Sequence, residues 1–372
     1  MRNPTLGPAE LARYGRHLAV PEIGENGQRR LKAASVAVVG AGGLGSPALL
    51  YLAAAGVGRI RLIDDDRVAI SNLQRQVLFG SDDVGREKVL AAKDRLAALN
   101  PHVVVDAIAA RVDPANSGDL LAGHDIVLDG TDNLAARYAI NDACVRLGIP
   151  YVFGSVFRFE GQVSVFWAGR GPCYRCLHPD EPSQGDLPDC ATAGVLGVLP
   201  GLVGSLQALE AMKLVLAVGD PLLGRLLLLD GRTLAFREIA LRADPQCRTC
   251  GSPGEIRSPA PPSRDSAVEE ISVEELRLRL DRDEPLALVD VRTRRERAWA
   301  RLPDHAWIPV DEIPRRLAEL DPQRVTVVYC HHGGRSARVA HFLRERGFPS
   351  VLNLHGGIDA WSLRVDPSVP RY

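Results

Sequence analysis

Between residues 35 and 150 the chain alternates two kinds of pattern. Short aliphatic runs, SVAVVG, RIRLID, HVVVDAIA and DIVLDG, are separated by mixed stretches at helical spacing such as REKVLAAKDRLAALN. Apolar strands alternating with helices predict a parallel, doubly wound sheet. Further strands are predicted at QVSVFWAG, RLLLLDG and FREIAL. The segment GSPGEIRSPAPPSRDSAVEE is rich in Pro, Ser and charge without an apolar period, the composition of a flexible linker. A fresh alternation follows it. SVEELRLRL reads as a helix, PLALVDV and VTVVYC as strands, SARVAHFLRERG as a helix and SVLNL as a strand. No internal repeat is visible. The fold class is therefore α/β twice over, with a domain at 1–251, a linker at 252–270 and a smaller domain at 271–372, each near a common domain size.

Composition narrows the reading. With 46% hydrophobic and 24% charged residues, the 372-residue chain has the make-up of a soluble globular protein large enough for two cores. A formal net charge of -1 argues against nucleic acid as a partner. The N-terminal MRNPTLGPAELARYGRHL lacks the apolar run of a secretory signal. GVLGVLPGLVGSLQALEAMKLVLAVG is long enough to suggest a membrane span, but Pro200, Gln207, Glu210 and Lys213 interrupt it. A buried helix after a Gly/Pro-rich loop is the better reading, with no membrane partner and a cytoplasmic location. In that setting the seven cysteines are expected as thiols or metal ligands rather than disulfides.

Candidate chemistry begins at VAVVGAGGLGSPALL, where Gly40, Gly42 and Gly45 form G-x-G-x-x-G between a strand and a helix. Such a turn lets backbone amides approach a phosphate at a helix N-terminus. Asp64 closes the next strand, where a carboxylate accepts from ribose hydroxyls. Alone, this fits a nicotinamide-dependent oxidoreductase or a bare strand–helix turn. Asn72, Arg75 and Gln76 in SNLQRQ, with Lys88 in VGREKV, tip the balance. Two cations beside the turn suit a triphosphate better than a hydride donor. Asp132 in LDGTDN is placed after another strand and suited to Mg²⁺ held with phosphate oxygens and waters.

The stretches GAGGLGSP, SNLQRQ, GTDN, RFEGQ, PCYRCL, AGVLGVLPG and GSLQALEA together resemble the ubiquitin-activating-enzyme-like adenylyltransferases of the MoeB/ThiF type, over about residues 10–251. The resemblance implies a Rossmann-like fold. It also implies a reaction of MgATP with the C-terminal Gly-Gly carboxylate of a small ubiquitin-like sulfur carrier, giving an acyl-adenylate and pyrophosphate. Carried over by motif, Gly42, Gly43 and Asp64 would contact the nucleotide, Asn72, Arg75, Gln76 and Lys88 would surround the phosphates, and Asp132 would hold Mg²⁺ with Asn133 beside it. Arg16, in RYGRHL, would reach across a homodimer to the phosphates of the other subunit as an arginine finger does.

GPCYRCLHP and QCRTCG supply two C-x-x-C pairs, Cys173 with Cys176 and Cys247 with Cys250. This spacing is expected of a closed, structural tetrathiolate Zn²⁺ site; disulfides or a redox pair are the alternatives. Cys144 has apolar neighbours at helical spacing and reads as a small buried hydrophobe. Cys190 lies in a Gly/Pro/Asp-rich loop, matching the family's crossover-loop cysteine, which implies a part in catalysis.

Cys330 is different. In VVYCHHGGRSARV a strand turns into a helix through C-H-H-G-G-R, so that amides can curl into an anion-binding nest, with Arg335 and the helix N-terminus adding positive potential. Such surroundings stabilise a thiolate or a persulfide. LVDVR, the IPV stretch, this loop and NLHGGIDAW resemble a rhodanese sulfurtransferase across about residues 270–366. The four residues between Cys330 and Arg335 make a loop sized for sulfur, where related phosphatases carry one more. ARLPDH stands where that family has G-H-I-P-G-A, and His331 and His332 occupy positions where a basic residue is common. The two resemblances imply one enzyme. ATP activates the carrier's glycine, Cys330 attacks as a persulfide loaded by a cysteine desulfurase or thiosulfate, and a second thiol, Cys190, releases the thiocarboxylate. A non-catalytic docking scaffold would have lost the ATP or thiol residues, and all are present.

Overall fold

The computed structural model describes residues 4–181, 194–251, 269–303 and 306–371. The chain divides into two compact units, one covering the described residues up to Gly251 and the other those from Glu269 onward.

The first unit is built on an eight-stranded sheet in the order β3-β2-β1-β4-β5-β6-β7-β8. Its strands are β1 (Ser35–Val39), β2 (Arg59–Ile63), β3 (Val104–Ile108), β4 (Ile126–Asp129), β5 (Tyr151–Phe157), β6 (Glu160–Phe166), β7 (Arg225–Asp230) and β8 (Ala235–Ala240). The first five in that order run parallel, and β6, β7 and β8 continue the sheet antiparallel. Both faces of the parallel part are covered, and Val36, Val38, Ile60, Leu62, Val127 and Leu128 have no exposed surface. This is why those strands are apolar without alternation. The sequence pattern does not announce β5, whose run YVFGSVF is split by Gly154.

The helix Val198–Leu216 is long and apolar enough to cross a membrane by length and composition. Here it is a core helix, packed on β5, β6 and the helix Gly45–Ala55. Its polar residues hold it there. Gln207 Nε2 donates to Asp129 O at 2.7 Å and Val152 O at 3.3 Å, and Glu210 accepts the amide of Leu222 at 2.7 Å. Cys144 lies in the apolar core around Tyr151, Phe153 and Phe166, and burial pushes its thiol pKa up, as expected of an inert packing residue.

The second unit is a five-stranded, all-parallel sheet in the order β11-β10-β12-β13-β9. The strands are β9 (Glu269–Ile271), β10 (Leu286–Asp290), β11 (Ala306–Trp307), β12 (Val325–Tyr329) and β13 (Val351–Leu354). Glu269 and Glu270, which composition assigns to the linker, pair instead with Leu352 and Asn353. Backbone pairing and the Asn353 amide, which donates to Glu270 at 2.9 Å, hold them in the sheet.

Candidate functional site

In the first unit, β1 sits between β2 and β4 at the point where the winding reverses. Ligands of open α/β sheets bind there, beyond the carboxyl ends of the strands. A cavity of ≈ 460 Å³ opens at this place. The glycines of its floor divide the work. Gly40, at φ +92°, would bring a Cβ to 2.7 Å from Gly130 O, and a Cβ on Gly45 would collide with Gly40 O, so these two close the loop. Gly42 and Gly43 line the cavity, and a Cβ on Gly42 would meet no protein atom nearer than 3.8 Å. That free backbone is available to a ligand.

Asp64 ends β2 and holds the glycine loop, accepting the Ala41 amide at 2.7 Å and the Asp66 amide at 2.8 Å. Burial raises its pKa, against the pull of Lys88 and the two amides. Lys88 starts the helix Lys88–Leu99; it is buried, with Nζ 2.7 Å from Asp66 Oδ2. Arg75 and Gln76 also line the cavity. Gln76 is 3% exposed, and its Oε1 has no partner among the described residues, an acceptor that a ligand donor would satisfy. Asp132 and Asn133 also line the cavity, Asp132 exposed and Asn133 capping the helix Leu134–Leu147 through the Ala136 amide at 2.8 Å.

Two expected residues stand elsewhere. Asn72 lies outside the lining; its side chain accepts the Ala69 amide at 3.1 Å and its carbonyl accepts from Arg75 and Gln76, so it shapes the turn that presents them. Arg16 is exposed on the helix Gly15–Leu18 and takes no part in the cavity of its own chain.

One further cavity residue lies outside the motifs. Arg137 lines the site while only 8% exposed, donating to Thr131 O, Gly154 O and Ser155 Oγ at 3.1 to 3.3 Å. Its Nε is 3.6 Å from the fully buried Asp129, which also accepts from Thr131 Oγ1 and the Tyr151 hydroxyl. The signal was there: a lone arginine in the otherwise apolar LAARYAI helix pattern.

The four C-x-x-C sulfurs gather in one place, all within 4.8 Å of each other. Cys173 Sγ is 3.9 Å from Cys176 and 3.6 Å from Cys247, and Cys176 is 3.4 Å from Cys250. Thiolates about 2.3 Å from one tetrahedral ion lie about 3.8 Å apart, so the donor set and its size fit Zn²⁺. All four are free thiols. Burial, and then repulsion from the neighbouring sulfurs, pushes Cys173 up, a cost a bound cation would remove. Cys190 lies outside the described residues.

In the second unit β12 delivers Cys330 to a loop that ends at Gly333, φ +100°, where the helix Gly334–Glu345 begins. The thiol is 2% exposed and accepts from the Gly333 amide at 3.2 Å and the Ser336 hydroxyl at 3.4 Å. The loop carbonyls are held from the other side, Cys330 O by the Ile358 amide at 2.9 Å and His331 O by the Asp359 amide at 3.1 Å. That approach requires Gly357, at φ +60°, since a Cβ there would lie 2.5 Å from Cys330 O and collide with His331 O. The second glycine of NLHGGIDAW is thereby explained. LVDVR supplies the rear support. Asp290 and Arg292, both fully buried, make a two-point pair at 2.9 and 2.7 Å, and the Tyr329 hydroxyl donates to Asp290 at 3.0 Å.

The electrostatics of this loop differ from the sequence expectation. Arg335 does not stand as an uncompensated cation. Its Nη1 donates to Glu296 Oε2 at 2.9 Å and its Nη2 to Glu296 Oε1, the carboxylate coming from the helix Arg294–Trp299. His331 is half-buried, and burial, reinforced by His332, lowers its pKa to about 4, so it is neutral at neutral pH.

Both geometries have counterparts among known proteins. The ThiF family matches residues 14–249, and the Rhodanese-like domain matches residues 272–364. The chain belongs to the ThiF family. It is 44% identical over 99% of its length to the probable adenylyltransferase/sulfurtransferase MoeZ of Mycobacterium tuberculosis, covering 96% of that protein. It is 52% identical to the sulfur carrier protein adenylyltransferase of Thermus thermophilus, over 65% of this chain and 91% of the relative. The chain carries a further likeness to a solved structure, E. coli MccB with ATP, at 26% identity and a TM-score of 0.56, covering 64% of this chain and 74% of that one. Its ThiF-family sequence thus continues into a Rhodanese-like domain.

Proposed function

We propose that the chain adenylates the C-terminal glycine of a ubiquitin-like sulfur carrier with ATP and then converts it to a thiocarboxylate with sulfur from Cys330. It is an adenylyltransferase and sulfurtransferase, and ATP is the nucleotide such relatives imply. One observation carries the reading: a single chain holds a cation-lined cavity at the nucleotide position of an α/β sheet and a thiol cradled by an amide and a hydroxyl at a strand–helix turn.

In the first unit a carboxylate must approach a polyphosphate, and the two repel. Lys88, Arg75 and Arg137 gather cationic charge around the cavity, while Gly42 offers unobstructed backbone and Gly43 lines the cavity beside Pro200. Asp64 fixes the loop and would accept from the ribose, and Asp132, with Asn133, would hold the Mg²⁺ that neutralises phosphate charge. The carrier's carboxylate oxygen attacks the α-phosphorus and pyrophosphate leaves. Arg16, exposed and outside its own cavity, is proposed to complete the site of a second copy in a homodimer. Cys173, Cys176, Cys247 and Cys250 would hold a structural Zn²⁺ that ties the end of the first unit to its body.

In the second unit the Cys330 thiolate takes the outer sulfur of a donor, a cysteine-desulfurase persulfide or thiosulfate. The resulting persulfide attacks the acyl-adenylate carbonyl and AMP leaves. A second thiol, proposed as Cys190, attacks the acyl disulfide; the thiocarboxylate departs with the electron pair, and a disulfide to Cys330 remains for reduction. The test separates the halves. Cys330→Ala is expected to abolish thiocarboxylate while ATP–pyrophosphate exchange continues. Asp132→Ala is expected to lower exchange by on the order of 100-fold while sulfur transfer to cyanide persists. Loss of exchange in Cys330→Ala would overturn this division of labour.

A further inference from the structure

We infer that Glu296 is a specificity-determining residue for the sulfur donor, keeping the Cys330 loop electrically neutral so that it accepts persulfide sulfur and disfavours anionic donors such as thiosulfate. The inference rests on the proposed persulfide role of Cys330 and deepens it.

The charged groups around the loop come from three helices, the loop itself and the C-terminal segment. Arg335, on the helix after the loop, has a side chain only 10% exposed and donates twice to Glu296, itself 17% exposed. Glu296 is fixed in turn. As the N3 residue of a capping box it accepts from the Thr293 amide at 2.9 Å and the Thr293 hydroxyl at 2.7 Å. Burial alone would raise its pKa, but the bonds from Arg335 and Thr293 bring it to about 2, so the carboxylate is always charged near neutral pH. From the helix Gly357–Arg364, Asp359 pairs with Arg371 at 2.8 Å, and the exposed His332 lies 3.9 Å from Asp359. His331, neutral, adds no charge. Arg335 and Arg371 thus already have carboxylate partners.

The two donor classes ask different things of such a loop. In both, the thiolate attacks the outer sulfur and the S–S bond breaks. A persulfide, R–S–SH, releases the thiolate RS⁻, whose R group stays outside. Thiosulfate, S–SO₃²⁻, releases sulfite and must first bring a dianion to the mouth of the loop, where an uncompensated guanidinium would bind it. With Arg335 committed to a preorganised carboxylate, the sulfonate must displace Glu296 or go without its cation. Desolvating that dianion beside a half-buried carboxylate is unfavourable.

The experiment uses the full-length chain and two donors, thiosulfate and cysteine persulfide, with cyanide as acceptor. In Glu296→Gln, which keeps the shape and releases the charge of Arg335, the KM for thiosulfate is expected to fall about 10-fold, the worth of one charge-assisted hydrogen bond. Transfer from cysteine persulfide is expected to change less than about 2-fold. Glu296→Asp, retaining the charge, is expected to keep the wild-type preference, which also guards against a fold defect in the glutamine variant. An unchanged thiosulfate KM in Glu296→Gln, or equal losses with both donors, overturns the inference. Mass measurement of wild-type Cys330 keeps the two readings apart. If it never gains a sulfur atom from either donor, the persulfide role fails and this inference with it. If it does and the preference is unmoved, only the role of Glu296 fails.

Discussion

Glu296 and His331 give the second unit a defined response to acid. The folded-state pKa of Glu296, about 2, lies below its ordinary 4.5, and that of His331, about 4, below its ordinary 6.5. In each interval the unfolded chain binds more protons, so stability rises with pH across it and is lost as pH falls. Acidification should therefore weaken the unit first between pH 6.5 and 4 through His331, then between 4.5 and 2 through Glu296. The second loss is at most on the order of 3 kcal/mol by linkage, reduced by solvent screening at this half-buried site. Trp299, Trp307 and Trp361 report on this unit, and urea midpoints followed by their fluorescence against pH should show it, with Glu296→Gln flattening the lower interval. Gly357→Ala should cost about 1–3 kcal/mol by the same measurement, because its φ and its carbonyl neighbours exclude a Cβ. Cys330 was legible in sequence because strand, turn glycines and helix are contiguous around it. Glu296 was not, since its partner lies 39 residues away and a tertiary ion pair leaves no local period.

Secondary-structure elements were readable in proportion to their length and regularity. β1, β2 and β4 are uninterrupted apolar runs, and β12 leads straight into the cysteine loop. β5 is broken by Gly154, and β9 and β11, of 3 and 2 residues, are too short to carry a period. The helix Val198–Leu216 was placed by its apolar length and its polar interruptions. What sequence does not reveal is why Gln207 interrupts it. β4 and β5 pair only at Val127–Tyr151 and Leu128–Val152, and Gln207 serves carbonyls of both strands where the ladder is short. Gln207→Leu should leave two buried carbonyls without this donor and cost about 1–3 kcal/mol in the unfolding of the first unit. A change under about 0.5 kcal/mol would mean that the two bonds contribute nothing net.

For the whole molecule, the sequence separated two α/β units and the cysteine spacing anticipated one sulfur cluster, because ligand pairs three residues apart must share a turn. The eight-stranded order, with its antiparallel extension through β6, β7 and β8, needed the structure, since strand order arises from tertiary pairing. Cys250→Ser should lower bound zinc from one equivalent towards none by elemental analysis, and should destabilise the first unit, because Cys173 and Cys247 anchor segments 74 residues apart. Full zinc content in that variant would refute the assignment. The central claim is that the first unit makes an acyl-adenylate without help from the thiol of the second. ATP–pyrophosphate exchange with a Gly-Gly-tailed sulfur carrier measures this directly. Equal exchange in the unaltered chain and in Cys330→Ala, with little in Asp132→Ala, is the result the account expects; no exchange by the unaltered chain with any such carrier would contradict it.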